Sequence, residues 1–242
     1  MQQLKTVIHL HTNYSADAKT SIDDLIRAAH AQRINCIAVT DHNTIRGAQA
    51  LAARADFHVI IGEELCTTDG HLIGLFLKHE IPMGLTALET ARRIHDQGGI
   101  VLAPHIFSTF CNQSLRNGAH ALIEHIDAVE VFNAQSPWSR DDRKSLAFAR
   151  QYGLPQYAGT DSHLPSSIAP CYHWMDPFDG PTGFLNSLRT ASICFAKHPW
   201  RYFLEYGYSS YSQILLGRIP RRFGTNAPER VPVGAVRAAE PA

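Results

Sequence analysis

Histidines and carboxylates recur in this sequence directly after short apolar segments that are typical of buried β-strands. The chain holds 14 histidines, and the groups that carry the argument are His9-Leu10-His11, Asp41-His42, Glu63-Glu64, Gly70-His71, Pro104-His105 and Thr160-Asp161-Ser162-His163. In a closed barrel of parallel strands the strand ends meet at one rim, and sites are built at that rim. Imidazole and carboxylate, with no cysteine among them, are the ligands of hydrolytic zinc, manganese or iron clusters. The sequence therefore predicts a site for several metal ions.

Strand-like and helix-like segments alternate along most of the chain. The predicted strands cover 4–10, 34–40, 57–62, 100–103, 128–132 and 156–159, with an extra strand over 71–77 beyond a turn at Asp69-Gly70. One predicted helix follows the N-cap Ser21, and a second follows the N-cap Asn43. Three further predicted helices cover 86–97, 119–125 and 140–152. From Pro181 the pattern weakens into one or two helices and a strand near 191–196. Such alternation predicts an α/β fold with parallel strands and right-handed crossovers.

The size and composition favour one barrel rather than two small domains. The chain has 242 residues, of which 45% are hydrophobic and 18% charged, and barrels of this class commonly run to about 200–250 residues. We expect the barrel to occupy residues 1–216. The segment 217–242 has four prolines and five arginines but few large apolar side chains, which predicts a disordered C-terminal tail.

The charge balance argues against long nucleic acid as a partner, and the cysteine pattern indicates the compartment. Lys plus Arg and Asp plus Glu are balanced at 22 each, so no global basic field draws in long nucleic acid. The five cysteines stand far apart without a CxxC pair, which suits a reducing compartment. No apolar run approaches the roughly 20 residues that span a bilayer, and no signal-peptide pattern precedes the first strand. We expect a cytoplasmic protein with no membrane partner, and the oligomeric state stays open.

The chain resembles the PHP family, the polymerase and histidinol phosphatase domain. The matching motifs are His9-Leu-His11-Thr12, Thr40-Asp41-His42-Asn43, Gly62-Glu63-Glu64-Leu65, Gly70-His71-Leu-Ile-Gly74, Ala103-Pro104-His105 and Gly159-Thr160-Asp161-Ser162-His163. They span Met1 to about Ser167 in the family's order and roughly its spacing. The resemblance implies a distorted (β/α)7 barrel that holds two to three divalent ions of zinc, manganese or iron.

The resemblance also implies a ligand set. Nine residues fall into three groups: His9, His11 and Asp161 for a first ion, Glu64 bridging it to a second ion that His71 and His105 complete, and Asp17, His42 and His163 for a third. In some relatives the position of Asp17 is a histidine. All nine positions carry plausible ligands, which argues against a degenerate copy.

Two residues beside these ligands leave alternatives open. Glu63 and Glu64 are adjacent and face opposite sides of an extended strand, so one alone can bridge the ions. Glu64 matches the family register better, and Glu63 could instead orient a histidine. Asp41 could accept the second ring N–H of a metal-bound histidine or cap the helix that follows it.

The function that these patterns indicate is metal-dependent hydrolysis of a phosphate monoester of a small metabolite or nucleotide. A hydroxide bridging the ions beside Glu64 would attack phosphorus, and His42 or His163, if free of metal, could protonate the leaving group. Arg116 and Arg140 follow strand ends and are candidates for binding the phosphate. The alternatives are an exonuclease on short oligonucleotides, a metal-bearing binding module without turnover, and a C–N hydrolase, which would call for a carboxylated lysine.

Overall fold

The computed structural model describes residues 3–215 except 110, 112, 117 and 138, and for 210–215 it describes the backbone alone. The predicted disordered tail over 217–242 lies outside the described residues. None of the helices in the described part of the chain is long and apolar enough to cross a lipid bilayer.

Nine strands and seven helices alternate in the described residues. The strands are β1 (Leu4–Leu10), β2 (Cys36–Val39), β3 (His58–Cys66), β4 (His71–Leu75), β5 (Ile100–Ala103), β6 (Ala128–Asn133), β7 (Gln156–Gly159), β8 (Tyr172–Met175) and β9 (Ser192–Cys194). The helices are α1 (Ile22–Gln32), α2 (Arg46–Ala52), α3 (Ala87–Asp96), α4 (Gly118–Ala121), α5 (Ser139–Gln151), α6 (Gly180–Thr190) and α7 (Trp200–Leu215). Short 3₁₀ turns cover Ile123–His125 and Pro165–Ser167.

The first seven strands close into a barrel because the first strand, β1, bonds to β2 along one edge and to the segment after β7 at the end of its other edge. One edge of β1 pairs with β2 in parallel. The start of the other edge pairs with β8, from Leu4 to Thr6, and its end bonds to the segment after β7. There Asp161 N–H donates to His9 O at 2.7 Å and His11 N–H donates to Ser162 O at 2.9 Å. The predicted distorted seven-stranded barrel is therefore confirmed, with β8 and β9 extending the sheet beyond β1.

The predicted parallel order holds from β1 to β3 and from β5 to β7, and the strand that runs against it is β4. This strand pairs antiparallel with both β3 and β5, because a tight turn rather than a helix joins β3 to it. Gly70, with φ 136°, takes a backbone conformation that favours glycine in that turn. The reversal places His71 at the beginning of its strand, so that it reaches the rim where the parallel strands end. The extra strand predicted over 71–77 exists as β4, whereas β8 had no counterpart in the sequence prediction.

Helix starts show one correct and one wrong prediction. Ser21 caps α1 as predicted: its hydroxyl accepts from Asp24 N–H, and the Asp24 carboxylate accepts from Ser21 N–H in a capping box. Asn43 does not cap α2, whose N-cap is Ile45 without a side-chain bond. The Asn43 carboxamide instead accepts from Cys66 N–H at 2.8 Å, because a φ of 54° turns the chain toward β3.

One apolar cluster fills the inside of the barrel below the rim. All seven barrel strands contribute to it, from Ile8 on β1 to Tyr157 on β7, and Phe184 on α6 covers its far end. Two further clusters pack α1 with α2 and α3 with α5 against the outside of the sheet. The interior of the barrel is therefore filled, and sites in barrels of this kind lie at the rim where the parallel strands end.

Because His173 on β8 is buried without charge, we predict that the free energy of unfolding falls in acid. Its Nε2 accepts from Ala158 N–H at 3.0 Å, and its Nδ1–H donates to Thr6 O at 3.3 Å. Burial lowers the pKa of His173 from 6.5 to about 4. As the pH falls, His173 is protonated in the unfolded chain near pH 6.5 but in the folded protein only near pH 4. The free energy of unfolding therefore falls by about 3 kcal/mol between these two pH values. We expect the urea-unfolding free energy of His173→Gln to fall less steeply over that range than that of wild type. Equal slopes would contradict the assignment.

Candidate metal centre

The carboxylate of Glu64 lies at the middle of the rim, and its Oε2 faces three imidazoles. Nε2 of His9 and Nε2 of His11 lie 3.4 Å and 3.3 Å from this oxygen, and Nδ1 of His42 lies 3.4 Å from it. The backbone of β3 fixes the position of Glu64, since Glu64 N–H donates to Asp41 O at 3.0 Å. Residues at the end of β1 and just after β1 and β2 therefore converge on one oxygen atom of a residue of β3.

The other oxygen of Glu64 faces a separate pair of histidines. Oε1 lies 2.9 Å from Nδ1 of His71 and 2.9 Å from Nε2 of His105. Glu63 points the other way, and its carboxylate accepts from Ile81 N–H at 2.8 Å. The structure thus directs Glu64, and not Glu63, into the cluster.

Two aspartates complete the cluster on its outer side. Asp161 Oδ1 lies 3.4 Å from Nε2 of His11 and 3.6 Å from Nδ1 of His163. Asp17 Oδ2 lies 3.4 Å from Nε2 of His163 and 3.6 Å from Nε2 of His42. The side chains of Asp17 and His42 are each 22% exposed, so this group faces solvent. All nine residues predicted as ligands are brought together at the rim.

Three of these residues take left-handed backbone conformations. The φ angles are 62° at His9, 31° at His105 and 47° at Asp161. Non-glycine residues in this region cost about 1–3 kcal/mol each and cluster at functional sites. At His9 the strain accompanies a register shift of β1 between Ile8 and Leu10. The convergence of His9 and His11 thus depends on a bulge as well as on strand alternation.

The donor set fits divalent metal ions. Several buried ring nitrogens make no hydrogen bond within the described residues: His9 Nε2, His11 Nε2, His42 Nδ1, His71 Nδ1 and His105 Nδ1. Buried polar atoms are rarely left unpaired, so each such atom calls for a partner. Triads such as His9, His11 and Asp161 have ligand atoms within 4.8 Å of one another. Imidazole nitrogen with carboxylate oxygen suits zinc, iron or manganese.

The electrostatics of the cluster are those of a site that holds cations. Burial would raise the pKa of Glu64, but His71, His9 and His42 outweigh burial and hold it well below its usual value. Burial would lower the pKa of His9, but Asp161, Glu130 and Glu64 raise it to about 10. Positive charge is therefore stabilised at this rim, and a metal ion can replace the protons that the imidazoles carry.

Glu130 and Asn133 on β6 support the centre, and the sequence prediction assigned neither a role in it. Glu130 Oε1 accepts from Nδ1 of His9 at 2.7 Å, and its Oε2 accepts from His105 N–H at 2.7 Å. Asn133 Nδ2 donates to Glu130 at 2.9 Å and to Asp161 Oδ2 at 3.0 Å. A carboxylate on the second ring nitrogen fixes the tautomer of a metal-binding histidine. The signal in the sequence was a glutamate inside the otherwise apolar strand of residues 128–132.

Asp41 acts on a ligand through Ser15, and it does not cap a helix. Its Oδ1 accepts from Thr12 N–H at 2.6 Å and from the Ser15 hydroxyl at 2.8 Å. The Ser15 oxygen lies 3.3 Å from Nδ1 of His11. Of the two alternatives for Asp41, the helix cap is wrong, and the orientation of a histidine is indirect. Gly47 makes room, since a Cβ there would lie 1.9 Å from Asp41 Oδ2.

Two cysteines lie beside the cluster, and the sequence analysis assigned neither of them a role there. Cys66 Sγ lies 3.4 Å from Nε2 of His71, and Cys111 lies against His105. Burial would raise the pKa of Cys66, but the adjacent His42 and His71 lower it to about 6. The pKa of Cys111 falls to about 7 because His105 outweighs burial. The sequence did not reveal this, because β3 and β4 place Cys66 opposite His71 by their register alone.

Residues between β9 and the first turn of α7 hold the segment after β7 in place. His198 Nε2–H donates to Thr160 O at 2.7 Å, and its ring stacks on Tyr202 at 3.8 Å. The Tyr202 hydroxyl accepts from His163 N–H at 2.9 Å. Lys197 Nζ donates to Asn133 O at 2.8 Å. The expectation that the aromatic residues near 202–211 pack onto the barrel holds for Tyr202, which is fully buried.

The two arginines predicted to bind phosphate are exposed. Arg116 lies in the loop after His105, where its backbone N–H donates to Ile106 O at 2.7 Å. Arg140 lies in the first turn of α5, after Asn133. Both side chains are open to solvent, so their role in binding phosphate stays a prediction.

A closed barrel whose rim carries nine clustered histidines and carboxylates defines a class of metal-binding barrel proteins. A model of the PHP domain matches residues 8–131, and a model described as PHP-associated matches residues 140–193. The chain belongs to the PHP family, as its motifs predict.

Two curated relatives come from the archaeon Methanocaldococcus jannaschii. The uncharacterized protein MJ1587 is 38% identical over 144 residues, which cover 54% of this chain and 82% of the relative. The uncharacterized protein MJ0417 is 29% identical over 202 residues, which cover 75% of this chain and 82% of the relative.

Three solved structures share the fold at low identity. PsfC from Pseudomonas syringae superposes with a TM-score of 0.64 at 16% identity, over 88% of this chain and 99% of that one. A candidate metal-dependent phosphoesterase from Bifidobacterium adolescentis gives 0.56 at 16%, over 65% and 87%. The lesion-specific endonuclease EndoQ from Pyrococcus furiosus gives 0.61 at 12%, over 86% and 66%.

Proposed function

We propose that this protein is a metal-dependent hydrolase of phosphate esters, with two to three divalent ions of zinc, manganese or iron. The observation that carries the proposal is the carboxylate of Glu64, whose two oxygens face separate groups of imidazoles. His9, His11 and Asp161 would hold one ion, and His71 and His105 would hold a second. The candidate phosphoesterase among the structural neighbours supports the same chemistry.

The bound ions would supply Lewis acidity and a water of lowered pKa. Residues behind the ligands would orient the histidine rings: Glu130 holds the ring of His9 through Nδ1, and Ser15 approaches the ring of His11. Asp17, His42 and His163 would hold a third ion. Where that position is empty, the partly exposed His42 is placed to give a proton to the leaving oxygen.

The substrate that we favour is a phosphate monoester of a small metabolite or nucleotide. The site opens where Asp17 and His42 are exposed, and the balanced charge of the chain gives no field for long nucleic acid. A second candidate is cleavage of short oligonucleotides, because a neighbour of the same fold is named an endonuclease. A location in the cytoplasm remains our expectation.

A screen of phosphorylated compounds tests the proposal. The purified protein is reconstituted with zinc, manganese or iron, and phosphate release is measured from sugar phosphates, mononucleotides and an aryl phosphate. Short oligonucleotides are followed by electrophoresis in parallel. Turnover of monoesters supports the favoured substrate class, and shortening of oligonucleotides alone supports the second candidate. Metal binding without turnover of any of these compounds would contradict a phosphoesterase.

We predict that substitution of either candidate phosphate-binding arginine changes substrate binding rather than the chemical step. Arg116→Ala and Arg140→Ala should each raise KM about tenfold, since a charge-assisted hydrogen bond contributes about 1.5–3 kcal/mol. The value of kcat should stay within about threefold, because the lost contact stabilises the bound substrate and the transition state equally. Arg93→Ala is the matched control, since its guanidinium pairs with Glu89 on α3. Steady-state kinetics measure both constants, and an unchanged KM in both variants would remove these arginines from the site.

A further inference from the structure

Cys66 lies on the face of β3 that points into the centre. It stands two residues after Glu64 on the same strand, so the two side chains share one side of it. In the antiparallel register of β3 and β4, Cys66 is directly opposite His71. The cysteine is thereby a cross-strand neighbour of a proposed ligand.

Asn43 holds the sulfur of Cys66 in place. The Asn43 side chain accepts from Cys66 N–H at 2.8 Å through Oδ1 and donates to Cys66 Sγ at 3.3 Å through Nδ2. The backbone of Asn43 is tied to the same strand, since Asn43 N–H donates to Glu64 O at 2.9 Å. The sulfur is thus fixed as an acceptor, with its position set by two elements of the barrel.

The two ring nitrogens of His71 have different surroundings. Nδ1 is buried, has no hydrogen-bond partner among the residues that the structure describes, and lies 2.9 Å from Glu64 Oε1. Nε2 lies 3.4 Å from Cys66 Sγ. If Nδ1 offers its lone pair to an ion, the proton must sit on Nε2, where an acceptor is required. Cys66 provides that acceptor.

We propose that Cys66 is a positioning residue, whose sulfur accepts the Nε2–H of His71 and holds the ring with Nδ1 toward Glu64. The inference rests on the proposed metal centre. It assigns to a cysteine the task that Glu130 performs for His9, where a carboxylate oxygen lies 2.7 Å from Nδ1. The two halves of the centre are then held by different chemistry: a carboxylate behind one histidine and a sulfur behind the other.

Zinc titration of the metal-free full chain tests this role. Affinities of successive equivalents are measured by competition with a chromophoric chelator. We expect Cys66→Ala to weaken one zinc per chain by about 10–100-fold, the usual effect of losing such a partner. Cys66→Ser, which keeps an acceptor, should bind that zinc more tightly than Cys66→Ala. Cys194→Ala on β9 is the control and should match wild type. In a His71→Ala background, Cys66→Ala should have no further effect.

The cobalt-loaded protein separates positioning from ligation. A sulfur bound to cobalt(II) gives a charge-transfer band in the near ultraviolet, and we expect wild type and Cys66→Ala to have the same spectrum there. A band lost in Cys66→Ala would make Cys66 a ligand and overturn the positioning role. Wild-type zinc affinity in a folded Cys66→Ala variant would also overturn it, and so would a further loss in the His71→Ala background. Failure of wild type itself to bind metal would instead contradict the proposed centre.

Discussion

Glu64→Gln should lose metal and nearly all hydrolytic activity. The carboxylate contacts the ring nitrogens of five histidines, and each oxygen serves a different side of the centre. An amide keeps one acceptor oxygen, but it presents an N–H₂ group to the other side and carries no charge. We expect at least one ion per chain to be lost and the rate to fall at least about 100-fold. Elemental analysis and hydrolysis of an aryl phosphate measure the two effects.

Glu63→Gln is the matched control, one residue away on the same strand. The Glu63 carboxylate points away from the centre to Ile81 N–H, and burial raises its pKa to about 7. A glutamine is close in shape to the protonated acid, so metal content and rate should stay near wild type. Loss of metal in Glu63→Gln with retention in Glu64→Gln would reverse the assignment of the bridging residue.

The sequence was sufficient to predict which side chains gather at the rim, because the signal for this gathering is local. An apolar strand followed at once by histidine or carboxylate is visible in the chain, and the barrel brings such strand ends together. His9, Asp161 and His105 were predicted in this way. The left-handed backbone conformations of His9 and Asp161 were not predictable, because these two residues are joined by a bond between β1 and the segment after β7, from Asp161 N–H to His9 O.

The residues that support the ligands were harder to predict because their partners are distant in sequence. Glu130 and His9 are 121 residues apart, and the glutamate by itself reads only as a polar residue in an apolar strand. The contact of Cys66 with His71 depends on the antiparallel register of β3 and β4, which the alternation of strands and helices does not specify. Asn43 has a side chain that suits a helix cap, and pairing with β3 outweighed that local preference.

Gly159→Ala should disrupt the centre although glycine has no side chain to contribute. A Cβ at this position would lie 1.7 Å from Glu130 Oε1, 2.7 Å from its Cδ and 3.0 Å from His9 Nδ1. Glu130 cannot move freely, because His9, the backbone of His105 and Asn133 all bond to it. We expect a loss of about 3 kcal/mol in unfolding free energy from overpacking and broken buried hydrogen bonds. Urea unfolding measures this loss, and zinc titration should show a weakened ion beside His9.

A second glycine and a double variant make this prediction specific to Glu130. Gly207 lies in α7, where an added Cβ would meet no atom within 4 Å, so Gly207→Ala should be neutral or stabilising by up to about 1 kcal/mol. In a Glu130→Ala background, Gly159→Ala should cost far less than it does in wild type, because the clashing carboxylate is gone. If the cost were the same in both backgrounds, the clash with Glu130 would not be its cause. The close approach of β7 to Glu130 would then serve the barrel rather than the centre.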